Sequence, residues 1–176
     1  MATTWNIDAA HSELQFKVKH LMISTVTGTF NEFSGTVTAE NDDFSGASVN
    51  FEAQVKSIDT RSEDRDNHLR SGDFFDAEQF PVLSFVSTGF TKKDDEEYEL
   101  KGDLTIKGVT HPVTFEVEYG GTQKDPWGNV KAGFELKGKI NRKDFGLTWN
   151  AVTEAGGMLV GEEVKLVASI QVAKGA

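Results

Sequence analysis

Apolar and polar residues alternate along most of this chain, and they do so with a period of two. In "SELQFKVKH" (12–20), Leu14, Phe16 and Val18 share one face while Glu13, Gln15, Lys17 and Lys19 share the other, which is the pattern of a strand with one wet side. His20 has the parity of the apolar set. The alternation returns in "VTGTFNEFSGTVTAE" (26–40), "ASVNFEAQVKS" (47–57), "PVLSFVSTGF" (81–90), "YELKGDLTIKG" (98–108), "VTFEVEYGG" (113–121), "VKAGFELKGKI" (130–140) and "EEVKLVASIQV" (162–172), making eight predicted strands. In the second of these the apolar parity switches from Val26 and Phe30 to Phe33 and Val37, which predicts a bulge or bend near Asn31 and Glu32. The 81–90 run is more continuously apolar, and either of its faces suits the interior.

Between these runs stand hairpin signals: the polar loop "KKDDEE" (92–97), the turn "KGVTHP" (107–112) and the Gly/Pro-rich connection "GGTQKDPWGN" (120–129). Short connections between consecutive strands predict an antiparallel meander, and one-sided alternation across eight strands suits a closed barrel or a sandwich. Strand length favours the barrel. A dozen residues at about 3.3 Å each reach about 40 Å, or about 30 Å along the axis of a barrel whose strands tilt near 40°. Such a barrel either fills its interior with side chains or holds one small ligand.

One stretch breaks the pattern. "RSEDRDNHLRSGDFFDAEQFP" (61–81) packs charges together and then releases Phe74, Phe75 and Phe80. Ser62 as N-cap, Glu63 and Asp64 in the first turn and Gly72 as terminator predict a short helix over about 62–71. It is too polar for a core helix, so it is expected to lie over a barrel end with the phenylalanines plugging downward. Arg61, Arg65 and Arg70 have two readings: surface ion pairs with Glu63, Asp64, Asp66 and Asp73, or, for one or two of them together with His68, a grip on a polar or anionic head group at the barrel mouth.

Composition narrows the chemistry. There are 28 acidic and 18 basic residues, a net charge of −10, which argues against binding a phosphate backbone, so no nucleic-acid partner is expected. Cysteine is absent, which removes disulfides, thiolate nucleophiles and Cys-containing zinc sites. No run approaches the ~18 apolar residues of a transmembrane helix. "MATTWNIDAAHSELQF" has no basic or apolar leader pattern, so the expected compartment is the cytoplasm, or the periplasm if a leader has been removed. His11, His20, His68 and His111 do not form a recognisable metal motif, and no nucleophile elbow or phosphate loop stands out; neither a metal nor another cofactor is expected. His11 is expected to satisfy turn groups, and His111 to sit exposed in a hairpin. Trp127 is expected to cap a barrel end or to mark a dimer surface, the first being the favoured role. Arg142 and Asp144 are expected to pair across a strand end, with Phe145, Leu147 and Trp149 facing the interior.

Five landmarks, "DAAHSELQFKVKHL" (8–21), "GTFNEFSG" (28–35), "RDNHLRSGDFFDAEQFP" (65–81), "GDLTIKGVTHPV" (102–113) and "NRKDFGL" (141–147), occur in an order that resembles the YceI-like family over essentially the full chain. The resemblance implies an extended, lipocalin-like, eight-stranded antiparallel barrel forming one domain over 1–176. It also implies an apolar tunnel for a long isoprenoid or similar amphipathic lipid, frequent homodimers and no established catalysis. The expected function is therefore a lipid carrier, store or sensor. The tunnel wall would include Phe16, Val18, Phe51, Val55, Phe74, Phe75, Phe115, Phe134 and Phe145, with His20, Arg65, His68 and Arg70 as polar contacts. The alternatives are an isomerase or cyclase working on a lipid in the same cavity and a filled barrel that serves only as an interaction surface.

Overall fold

The computed structural model describes residues 2–21, 23–150 and 159–175. Among them are eleven strand segments and one α-helix: β1 (Thr3–Ile7), β2 (Glu13–His20), β3 (Ser24–Phe30), β4 (Phe33–Ala39), β5 (Ser48–Gln54), β6 (Ile58–Asp59), α1 (Glu63–Arg70), β7 (Val82–Lys92), β8 (Glu97–Ile106), β9 (Val109–Lys124), β10 (Val130–Asn141) and β11 (Val160–Lys174). Every strand belongs to one antiparallel sheet, which β1 closes by pairing with β11.

Eleven segments make eight staves. β11 pairs along one edge with β10, while its other edge is shared between β2, from Val160 to Ser169, and β1, from Val172 to Lys174. β1 and β2 are thus two halves of one long stave, interrupted by the 3₁₀ turn Ala9–His11. β3 and β4 are halves of the next, broken at Asn31 and Glu32 where the parity switch predicts it. β5 and β6 flank the 3₁₀ turn Val55–Ser57 and make the third. With β7 to β11 the result is the predicted eight-stranded up-and-down barrel.

Three local expectations need correction. The first predicted strand, 12–20, omits β1, whose Trp5 is buried at the barrel end. The turn at 107–112 shortens to Lys107 and Gly108, both left-handed (φ 52 and 76), a pairing that matches the twist of the flanking strands. His111 and Pro112 therefore lie within β9, and His111 is half-buried with its ring edge-on to Phe145 at 5.4 Å. Pro112 sits beyond the last β9–β10 pair, Glu116↔Lys137, where its missing N–H breaks no bond on that side. Trp127 caps nothing. It stands 83% exposed on the turn between β9 and β10, where Asp125 accepts the amides of Trp127 and Asn129. On β7, Leu83 and Phe85 are buried, and a register shift between Ser87 and Gly89 returns Phe90 to the interior, so both parities of that run are used.

The two barrel ends differ. One is closed by aromatic rings around Phe44, which is 1% exposed and enters from the loop between β4 and β5. The Asp43 carboxylate organises that loop: it accepts from the Ser45 amide (3.0 Å) and hydroxyl (2.7 Å) and pairs with Lys92 at 3.2 Å. Tyr98 donates its hydroxyl to the Asp43 carbonyl. The Ser45 bonds and the Lys92 charge hold the Asp43 pKa at about 2, below the ordinary 3.8. A depressed folded-state pKa adds stability that is complete above the unfolded value and is lost as pH falls through the folded one. Asp43→Asn should therefore lower the melting temperature at neutral pH, and the gap to the parent should close between 3.8 and about 2. A gap that persists unchanged to the acid end would contradict this.

Candidate functional site: the barrel cavity

A cavity of about 600 Å³ runs inside the barrel. β11 alone lines it from Val160 to Val172, a stretch of about 40 Å of strand or about 30 Å along the barrel axis. The cavity is therefore elongated along the barrel axis. The alternation read from the sequence supplies the wall: Val164, Leu166, Ala168, Ile170 and Val172 of β11, Leu100, Leu104 and Ile106 of β8, and Val49 and Phe51 of β5.

Glycines explain why so many phenylalanines leave a hollow. A Cβ added at Gly28 would stand 2.2 Å from Phe16 Cζ. At Gly102 it would stand 2.4 Å from Phe85 Cζ, and at Gly138 2.7 Å from Phe115 Cδ1. Each ring fills the space above a glycine on a neighbouring stave, the arrangement in which an aromatic covers backbone that a glycine exposes. The glycines have inward parity: Gly28 between Val26 and Phe30, Gly102 between Leu100 and Leu104, Gly138 between Leu136 and Ile140. Rings sunk into the wall leave the axis clear.

Apart from Gln15, the polar lining residues gather at the end opposite Phe44: Lys19, His20, Thr60, Ser62, Asp64, Arg65, His68 and Arg142. α1 dominates this end. The Ser62 hydroxyl accepts the Arg65 amide at 3.4 Å, and Glu63 and Asp64 fill the positive first turn. Ser71, not Gly72, terminates the helix, giving its amide (3.1 Å) and hydroxyl (2.5 Å) to the His68 carbonyl. Asp66 is the buried residue of α1 and anchors it, accepting from the Thr60 amide (2.8 Å) and hydroxyl (2.5 Å).

The ion-pair reading of the arginines does not hold, and of the three only Arg65 faces the cavity, alongside His68. Among the described residues, Arg61, Arg65 and Arg70 make no ion pair with Glu63, Asp64, Asp66 or Asp73. Arg70 donates to the carbonyls of Lys56 (3.0 Å) and Ile58 (3.1 Å) and to Asn67 (3.0 Å), and it lies outside the cavity. Arg65 donates to the Thr60 hydroxyl (2.7 Å) and carbonyl (2.5 Å) while lining the cavity, so its fork is held in place with three of its five N–H groups still unspent. Uncovered carbonyls beside β6 draw both side chains. His68 bonds Asp73 at 2.9 Å and turns its ring edge-on to Trp149 (4.6 Å) and Phe74 (5.1 Å). His20 lines the cavity, and among the described residues its ring has no hydrogen-bond partner.

Of the predicted wall, Phe16, Val18, Phe51, Phe74, Phe75, Phe115 and Phe134 line the cavity. Val55 does not, because the chain leaves the strand there and buries it in a 3₁₀ turn. Phe145 does not either. Residues 142–145 form a 3₁₀ turn that tucks Phe145 against His111, whereas Leu147 and Trp149 do reach the lumen. Phe80 packs beneath the Gly108 turn instead of plugging the end. His11 is exposed and bonds the Asp8 carboxylate at 2.8 Å.

Arg142 was expected to pair with Asp144, but Asp144 is exposed and Arg142 is 3% exposed. Its guanidinium donates to the carbonyls of Gly161 (2.8 Å), Leu147 (2.6 Å), Trp149 (2.9 Å) and Val160 (3.3 Å). Burial lowers its pKa, while the charge of nearby Glu162 opposes that shift. Four carbonyls stand in for water around a cation at the polar end of the cavity, a role that charge counting in the sequence does not reveal.

A closed antiparallel barrel with an elongated apolar cavity, polar at one end, defines a small-molecule-binding barrel of the lipocalin-like kind. The YceI-like domain matches residues 5–172, and the chain belongs to that family. It is 43% identical to a UPF0312 protein of Staphylococcus epidermidis over 170 residues, covering 96% of each chain, and 41% identical to one from Staphylococcus aureus over the same length. Among solved structures, the Campylobacter jejuni YCEI protein is 31% identical, with 90% of each chain covered and a TM-score of 0.76. Two more distant structures share the fold. Burkholderia cenocepacia BcnA is 24% identical with a TM-score of 0.81, covering 94% of this chain and 98% of its own. A polyisoprenoid binding domain from Saccharophagus degradans is 14% identical with a TM-score of 0.67, covering 97% and 98%.

If glycines keep the bore open, Gly28→Ala should force the Phe16 ring into the lumen. Overpacking of this kind costs about 1–3 kcal/mol, read as a lowered melting temperature. Adding Phe16→Leu should restore most of the stability. A Gly28→Ala protein as stable as the parent would refute the ring-on-glycine account.

Proposed function

We propose that the protein binds one long-chain isoprenoid or similar amphipathic lipid inside the barrel, tail along the axis and head at the α1 end, and that it acts as a carrier, store or sensor of that lipid. The observation that carries this reading is the segregation of the cavity: about 600 Å³ of apolar bore with its charged and imidazole groups confined to one end. Burying a tail contributes about 0.8 kcal/mol per methylene, so the bore supplies affinity. The polar end supplies orientation, since a head group there meets positioned donors while an inverted lipid would strand its head among phenylalanines. An elongated apolar bore with one polar end suits a lipid with one tail and one head. Membership in the YceI-like family and a fold shared with a polyisoprenoid binding domain support the same ligand class.

Arg65 and His20 are the head contacts of choice, because both line the cavity with ring or guanidinium nitrogens that no other described residue takes up. Arg70 is a clamp on backbone carbonyls and is assigned no ligand contact.

Protein purified from cells should carry a lipid-sized mass by native mass spectrometry, lose it on organic extraction and regain it from a one-tailed lipid. A parent protein that carries no lipid and takes up none would overturn the reading. Arg65→Gln should weaken a fatty acid more than the matching fatty alcohol by about tenfold, the scale of one charge-assisted hydrogen bond. Arg70→Gln should leave that ratio unchanged. Equal losses for acid and alcohol on Arg65→Gln would remove the charge-reading role.

A further inference from the structure

We propose that Phe44 is the stop that limits the length of tail the cavity accepts. This rests on the reading of the bore as the seat of a one-tailed lipid, and it assigns the specificity of that site to a single side chain.

Phe44 is a loop residue between β4 and β5, yet it is more deeply buried than most of the barrel wall, at 1% exposure. Its backbone is left-handed, φ 65, a conformation that a bulky side chain rarely adopts and that persists only when the surroundings impose it. Those surroundings are the Asp43 carboxylate with its Ser45 and Lys92 partners, the Tyr98 hydroxyl on the Asp43 carbonyl, and the Gly46 amide on the Phe90 carbonyl at 2.9 Å. The strained turn drives the ring into the barrel end. There it meets Trp5 at 5.0 Å, Phe134 at 5.1 Å and Tyr119 at 5.8 Å, and it lines the cavity at the end away from the polar groups.

The wall does not depend on this ring, because Phe44 contributes no rung to the sheet. Its place fits a plug across the bore. A tail inserted with its head at the α1 end gains affinity with every methylene until its terminal methyl meets Phe44. Further methylenes have no apolar space to enter.

The test uses straight-chain saturated fatty acids of increasing length, measured by displacement of a fluorescent fatty acid from solvent-extracted protein. For the parent, affinity should rise about fourfold per methylene and then level off at a definite length. Phe44→Gly removes the ring and suits the left-handed backbone, so the loop keeps its course. It should move the break to longer chains, leave short acids unchanged, and bind chains beyond the parent's limit about tenfold tighter or more than the parent does. Phe44→Leu should move the break the same way by less, and it decides the matter alone if the glycine variant does not fold. A parent break that neither variant moves overturns the stop while leaving the lipid-binding reading intact. A parent that binds no fatty acid of any length overturns the stop, and one that also takes up no isoprenoid alcohol overturns the lipid-binding reading with it.

Discussion

Thirteen phenylalanines on a barrel of eight staves pose a space problem: rings that point inward tend to meet in the middle and make an ordinary core. Here the constraint is met by glycine. Phe16, Phe85 and Phe115 each lie against a neighbouring stave at a position where any Cβ would collide with the ring. The apolar area is removed from water against the wall, so the rings stabilise the sheet without occupying the axis. Closure of the sheet between β1 and β11 keeps that wall continuous and leaves no edge along the barrel seam. The hollow and the stability of the barrel therefore come from the same contacts.

The ends are finished by opposite means. At the floor, a strained loop drives Phe44 among Trp5, Tyr119 and Phe134. At the polar end, arginines act as staples: Arg65 and Arg70 hold α1 to the backbone around β6, and Arg142 gathers four carbonyls at the base of β11. In a chain with a surplus of carboxylates these cations take carbonyl partners, because strand ends leave acceptors uncovered and a guanidinium offers a fork of donors that spans several of them. A carbonyl-bound arginine also keeps its charge unneutralised, so Arg65 staples α1 and still presents a charge to the cavity.

Much of this is legible in the residues. Period-two alternation places Phe16, Leu104, Leu166 and Ile170 on the lumen, the parity switch locates the break at Asn31 and Glu32, and Ser62 announces α1. Two misses share a cause, since parity holds only while the chain remains a strand. Val55 and Phe145 drop out of the lumen because each sits in a 3₁₀ turn that the alternation does not signal. Phe44 stands in "NDDFSG", which reads as a polar loop until its left-handed backbone is seen. Arg142 reads as half of a surface ion pair because "NRKD" carries no mark of burial. Glycines with inward parity, flanked by large apolar residues, are the residues that mark where a neighbouring ring packs against the wall.

The orientation of a bound tail tests the whole account in one measurement. A fatty acid brominated at its terminal carbon, bound to the protein and located by anomalous scattering, reports where the tail ends. The account predicts a single bromine site inside the barrel against the Phe44 ring, with the carboxylate at the α1 end. A bromine found at the α1 end, or on the outer face of the sheet with the bore empty, would contradict it.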